Sequence, residues 1–220
     1  MIMTDIEKAR YNMAEQQVRP WEVFDDRVLS VIRQVPREQF VPHAYRNLAF
    51  SDMRIPLGHD EVMMEPKVEA RMLQALDIRP TDQVLEIGTG SGFVTACLAT
   101  LGNSVVSYDI HEDFIEGAGE KLAKQAINNV HLHLGNPLGM EDLPREGFDV
   151  VAVTGSMPAY NTALEAVLAP GGRLFQIVGE SPLMHAMLIT RKGDEFIQDF
   201  LFETDLPPLR HIPELPHFRF

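Results

Sequence analysis

Cysteine is almost missing from this chain: there is one, Cys97, in 220 residues. A single thiol excludes any disulfide within the chain. Its setting in the apolar run VTACLATL marks it as a buried residue rather than a reactive one. Basic residues are also scarce, with 19 lysines and arginines against 32 acids and a formal net charge of −13. That balance argues against a role built on sequence-independent binding to phosphate backbones or anionic membranes. Neither nucleic acid nor membrane is therefore expected as a partner. No uninterrupted apolar run has the length that spans a bilayer. The opening MIMTDIEKARYNMAEQQ lacks the apolar centre of a secretory signal, so a cytoplasmic location is expected. Repeats and low-complexity tracts are absent too.

What is present is an ordinary globular composition, 45% hydrophobic and 23% charged, at a length that builds one sizeable core. One domain is expected, with a helical N-terminal segment over 1–80, a core over 81–206 and a proline-rich tail over 207–220. Helices are predicted over 4–18, from Asp25-Asp26 to Pro36, and from Pro66 through KVEARMLQAL, where apolar residues recur at helical spacing. VPREQFVP reads as a short turn of helix, and GHDEVMMEP (58–66) as a loop. From residue 83 short apolar strands alternate with helices: QVLEI, FVTACLATL, SVVSYDI, EDFIEGAGEKLAKQA, VHLHL, FDVVAVT, a helix over NTALEAVLA, then RLFQIV. HAMLITR and EFIQDFLFET flank Lys192-Gly193-Asp194 as an antiparallel hairpin. The pattern predicts an α/β fold, a mostly parallel Rossmann-like sheet covered on both faces.

The strongest local signal is VLEIGTGSG (84–92), placed after a strand and opening a helix. Glycines permit a sharp turn and a close approach of backbone to ligand, and ligands bind at the carboxyl ends of such strands. Asp109 ends the next strand, 21 residues after Gly88, the spacing of an acid that accepts from ribose hydroxyls. The third glycine arrives one residue early for a dinucleotide fingerprint, which makes a dehydrogenase a distant reading. Glu86, two residues ahead of Gly88, suits a positively charged ligand better than a pyrophosphate. Spacing and charge together suit S-adenosylmethionine and the class I methyltransferases.

Over 12–210 the sequence resembles the protein-L-isoaspartate O-methyltransferases, on RVLSVIRQVPREQFVP (27–42), IPLG (55–58), VEARMLQAL (68–76), VLEIGTGSGFVTACLA (84–99), FDVVAVTGSMP (148–158) and LAPGGRLFQIVGE (168–180). The resemblance implies a class I methyltransferase fold of seven strands, with extra N-terminal helices and a C-terminal antiparallel hairpin. It also implies methyl transfer from S-adenosylmethionine to isoaspartyl carboxylates of damaged peptides and proteins, by a monomer. Cofactor contacts would fall on Glu86, Gly88, Thr89, Gly90, Ser91, Gly92, Asp109, Ile110, Gly135, Asn136 and Thr154. Asn136 stands where the family has an aspartate.

The departures gather in GHDEVMMEP, where the family reads G-x-G-Q-T-I-S-x-P and the serine hydroxyl helps hold the acceptor carboxylate. Aligned on Gly58 and Pro66, the serine falls on Met64 and the threonine on Val62, so both hydroxyls are gone. Met63-Met64 in a loop reads first as packing. The sharper expectation is an acceptor pocket made apolar by Val62, Met63 and Met64, with His59 near the substrate and Ser156 supplying a displaced hydroxyl. Asp60, Glu61 and Glu65 would repel an anionic acceptor if they point inward, with Lys67 and His59 as offsets. Two alternatives stay open: a methyltransferase with a different, small acceptor, or a cofactor-binding protein without catalysis. His131 and His133 share a strand face, but no further ligand motif joins them, and no metal is expected.

Overall fold

The computed structural model describes residues 3–139 and 147–212. Thr4 caps the first helix, its hydroxyl accepting from the Glu7 N–H while the Glu7 carboxylate accepts from the Thr4 N–H, a reciprocal capping box. That helix, α1 (Asp5–Met13), continues as a π-turn over Ala14–Val18 and a 3₁₀ turn over Arg19–Trp21. The predicted span is helical throughout, but its last turn loosens ahead of Pro20, which lacks the N–H that regular bonding needs. α2 (Asp26–Gln34), capped by Asp25, buries Val28, Leu29, Val31 and Ile32 and stops before Pro36. α3 (Arg37–Phe40) is the short turn that follows.

The stretch expected as a loop is a hairpin. β1 (Ile55–Gly58) and β2 (Glu61–Met63) pair antiparallel, Ile55 opposite Met63 and Gly58 opposite Glu61. His59 and Asp60 form the tip with φ of +53° and +62°, the doubly left-handed turn whose twist suits a two-residue hairpin. The usual Asn-Gly signal of that turn is absent, which hid it. α4 (Pro66–Leu76) begins on Pro66 and ends at Asp77 in a left-handed conformation.

The main sheet contains β3 (Gln83–Ile87), β4 (Ser104–Asp109), β5 (Val130–Leu134), β6 (Phe148–Met157), β7 (Leu168–Glu180), β8 (Leu183–Lys192) and β9 (Glu195–Thr204). α5 (Phe93–Leu101) joins β3 to β4, and α6 (Glu112–Lys124) joins β4 to β5. The strand order is β5-β4-β3-β6-β7-β8-β9. The first five run parallel, and β8 and β9 add antiparallel at the edge. The helix expected over NTALEAVLA is instead a 3₁₀ segment, Thr162–Val167. β6 captures the chain early: Phe148 pairs with Leu168 and Val150 with Arg173. The residues of Ala169-Pro170-Gly171-Gly172 bulge between those two pairings.

Apolar side chains cover both faces of the sheet. One layer joins it to the N-terminal helices through Leu29, Ile32, Phe40 and Leu73, and the other lies under β6 and β7 around Val151, Val153, Leu164 and Leu174. Cys97 is buried in the first layer, and burial pushes its thiol up. Among the described residues no helix is long and apolar enough to cross a membrane.

After β9 the chain turns back across the carboxyl ends of the strands. The Ser156 N–H donates to Pro207 O at 3.1 Å, and the Leu209 N–H donates to Ser156 O at 2.9 Å. The proline-rich tail is thus a strap over the sheet as far as Ile212. Its remainder, 213–220, lies outside the described residues.

Candidate cofactor and acceptor site

The glycine turn sits between β3 and α5. Gly88 has φ +101°, and a Cβ there would overlap the Thr154 hydroxyl. That hydroxyl is directed at the carbonyls of Ile87 and Gly88, at 2.9 and 2.5 Å. A glycine at 88 therefore lets β6 close against the turn. Gly92, at φ +83°, would put a Cβ 2.9 Å from the Ala118 Cβ. It serves the packing of α5 on α6 and is not among the residues lining the two cavities at the turn.

Asp109 is almost fully buried at the end of β4. Its Oδ2 accepts from the Gly90 N–H at 2.8 Å and its Oδ1 from the His111 N–H at 3.0 Å. Each oxygen keeps a further lone pair for a ligand. Two clefts open to solvent at this edge, spanning about 670 Å³ and about 300 Å³ with the solvent space inside them, and Asp109 lines the larger. They share Leu57, Val62, Gly88, Gly90 and Thr154. Asp109, Ile110, Gly135 and Asn136 line the larger cavity, opposite the strap residues Leu206, Pro207, Leu209 and Arg210. Thr89, Ser91, Met63 and Met64 line the smaller. The Asn136 side chain donates to His211 O and accepts from the Leu138 N–H, so it ties the strap to the loop after β5.

Glu86 departs most from expectation. It is wholly buried under the glycine turn and lines neither cavity. Its Oε2 accepts from the hydroxyls of Thr95 and Ser107, both at 2.6 Å, while Ser107 in turn lies 2.6 Å from the Thr89 hydroxyl. Burial pushes the acid up to about 8, so at neutral pH it is mostly neutral. It supports the turn from below rather than facing a cationic ligand.

Two expected substrate residues are not at the cavities. The Ser156 hydroxyl, fully buried, donates to Leu206 O at 2.7 Å and anchors the strap. His59 lies outside both linings, 3.1 Å from the Asp113 carboxylate and stacked on His111. The hairpin tip draws it outward. Asp113 is held below its usual range first by that hydrogen bond to His59. His131 and His133 are exposed, and His133 stacks on Tyr108.

Arg210 answers the loop acids. Its guanidinium donates to Glu61 at 3.0 Å, to the His59 carbonyl at 2.7 Å and to Asp60 at 3.2 Å. Lys67 does not contribute, since it pairs with Asp52 and lies over the Trp21 ring. Glu65 lies 3.5 Å from Arg54. Met63 and Met64, 4% and 3% exposed, belong to the core and also form one wall of the smaller cavity. The packing reading of these residues holds, and the same side chains face a cavity.

A buried pair escaped the sequence reading. Arg37, fully buried, donates to Glu69 Oε2, to Ala49 O at 2.8 Å and to Met64 O at 2.8 Å. Glu69 lines the smaller cavity. A carboxylate on the apolar face of an amphipathic helix was the available signal.

The strand order, the edge hairpin and the glycine turn define a class I methyltransferase. The profile of the protein-L-isoaspartate(D-aspartate) O-methyltransferase family matches residues 10–210, and the chain belongs to that family. A protein-L-isoaspartate O-methyltransferase of Methanoculleus marisnigri is 35% identical over 188 residues, 84% of each chain. Protein-L-isoaspartate O-methyltransferase 1 of an Anaeromyxobacter species is 37% identical, over 86% of this chain and 88% of its own. A Plasmodium falciparum protein assigned to the same activity, crystallised with S-adenosyl-L-homocysteine, shares the fold. Its TM-score is 0.80 at 21% identity, covering 91% of this chain and 98% of that one. The chain is thus an S-adenosylmethionine-dependent methyltransferase by family.

Proposed function

We propose that this protein methylates the free carboxylate of isoaspartyl residues, with the cofactor's adenosine in the larger cavity and the acceptor reaching the smaller one. The carrying observation is that the two cavities meet at Gly88, Gly90 and Thr154, on the carboxyl edge of a sheet of this family. The residues fit S-adenosylmethionine: the turn is bare of side chains at Gly88 and Gly90, Asp109 keeps lone pairs for ribose hydroxyls, and Ile110, Phe114 and Leu138 give an apolar wall. When bound, the cofactor supplies a methyl group on a sulfonium.

The protein's own part is positioning. A carboxylate with an ordinary pKa near 4 is ionised at neutral pH and needs no general base. Orientation and exclusion of water then carry the catalysis. The strap and the β1–β2 hairpin, joined through Arg210, cover the larger cavity. Val62, Met63 and Met64 shape the smaller one with apolar surface.

The test is labelled methyl transfer to an isoaspartyl peptide against the matching aspartyl peptide. Selective labelling of the isoaspartyl peptide is expected. Cofactor binding without such transfer would point to a different acceptor or to a protein that binds without catalysis.

A further inference from the structure

The acceptor region poses a problem that follows from the proposed function. An anionic acceptor needs donors; the Ser91 hydroxyl on the glycine turn offers one, while the opposite wall of Val62 and Met64 offers none. Glu69 supplies a polar group on the same wall. It is fully buried, it lines the smaller cavity with Met63 and Met64, and its Oε1 has no hydrogen-bond partner among the described residues. Its Oε2 is taken by Arg37, so the free oxygen is fixed as the other one. A buried carboxyl oxygen without a partner is costly unless something completes it.

We propose that Glu69, as its neutral acid, donates a hydrogen bond from Oε1 to the acceptor carboxylate and so positions it for transfer. This rests on the isoaspartyl reading above. A fully buried carboxyl and an anionic acceptor beside it do not readily both stay ionised. Arg37 carries one positive charge and balances one of them. The other groups facing Glu69 change nothing in this count: Glu65, ahead of α4, has Arg54 beside it, and Cys97 on α5 is a thiol that burial keeps neutral. One proton therefore stays on Glu69 when the acceptor binds. Burial already pushes Glu69 up to about 7. The proton remains on Glu69 through transfer. The ester product has no charge, accepts more weakly and leaves more easily.

The acid form is present below about pH 7 and is lost above it, so the KM for the isoaspartyl peptide rises with pH. The acceptor stays ionised throughout, and its own titration does not interfere. With cofactor saturation checked by calorimetry at each pH, KM is measured from pH 6 to 8.5. A rise approaching about tenfold per pH unit above pH 7 is expected from one linked proton. In Glu69→Gln, Arg37 fixes the amide oxygen and the NH₂ replaces the acid proton at every pH, so KM becomes independent of pH. Glu69→Leu raises KM at pH 6 by about 10- to 100-fold. A flat KM in the wild type, or the same slope in Glu69→Gln, overturns the role of Glu69 and leaves the isoaspartyl reading intact. The wild-type profile needs no variant to fold. No methylation by the wild type at any pH overturns both.

Discussion

Replacing Glu86 by glutamine tests whether the acid of the VLEIGTGSG turn acts on the ligand or on the fold. Thr95 and Ser107 both donate to Oε2, a part that a glutamine oxygen can take over, while Oε1 is buried without a partner among the described residues. Burial raises the folded-state value from 4.5 to about 8. Between those values the unfolded chain has released the proton and the folded protein retains it. Stability from this group is therefore fully present below about pH 4.5 and is lost as pH rises through about 8. The slope is at most about 1.4 kcal/mol per pH unit, on the order of 5 kcal/mol across the window. Urea unfolding of the wild type and Glu86→Gln at pH 5, 6.5 and 8 isolates the term, because all other groups are shared. The expected outcome is a stability difference that moves steadily in favour of Glu86→Gln as pH rises, with cofactor affinity little changed. A difference that ignores pH, together with a large loss of affinity, would mean an ionised Glu86 facing the ligand and would refute the reasoning.

Asp109→Ala removes the carboxylate that fixes the Gly90 and His111 N–H groups and faces the larger cavity. Calorimetry should show cofactor affinity lowered by about tenfold or more, and unchanged affinity would overturn the ribose contact. Met64→Ser restores the family's hydroxyl but empties a core position and buries a polar group. Urea denaturation should give a loss of about 2–4 kcal/mol, and a neutral result would mean that Met64 does not pack as described. Arg210→Ala cuts the strap from the hairpin tip. Hydrogen exchange should quicken across 206–211 while the melting temperature stays near the wild type, and unchanged exchange would show that these exposed ion pairs do not hold the strap.

Much was legible in the sequence because it is encoded locally. Periodicity gave α2 and α4, proline placed the start of α4, and alternating strands and helices gave α5 and the parallel sheet. Gly88, Gly90 and Asp109 were readable because a sharp turn and an acid one strand later impose their own spacing. FSDMRIPL was readable as an extended segment, but its pairing into a hairpin was not, since His59 and Asp60 adopt left-handed backbone without the usual glycine. The 3₁₀ segment at 162–167 was misread because pairing with β6 overrode local preference.

The sequence by itself determined a mostly parallel sheet with an antiparallel edge, the glycine turn and the family, all of which rest on short-range pattern; the strand order came from the structure. Only the tertiary structure decided which way each charge points. It buried Glu86 beneath the turn, turned Ser156 to the strap, brought Arg210 to Glu61 across the hairpin and set Glu69 beside Arg37 on the cavity wall. Orientation and burial of a side chain are set by what packs around it from distant parts of the chain, and no local spacing records that.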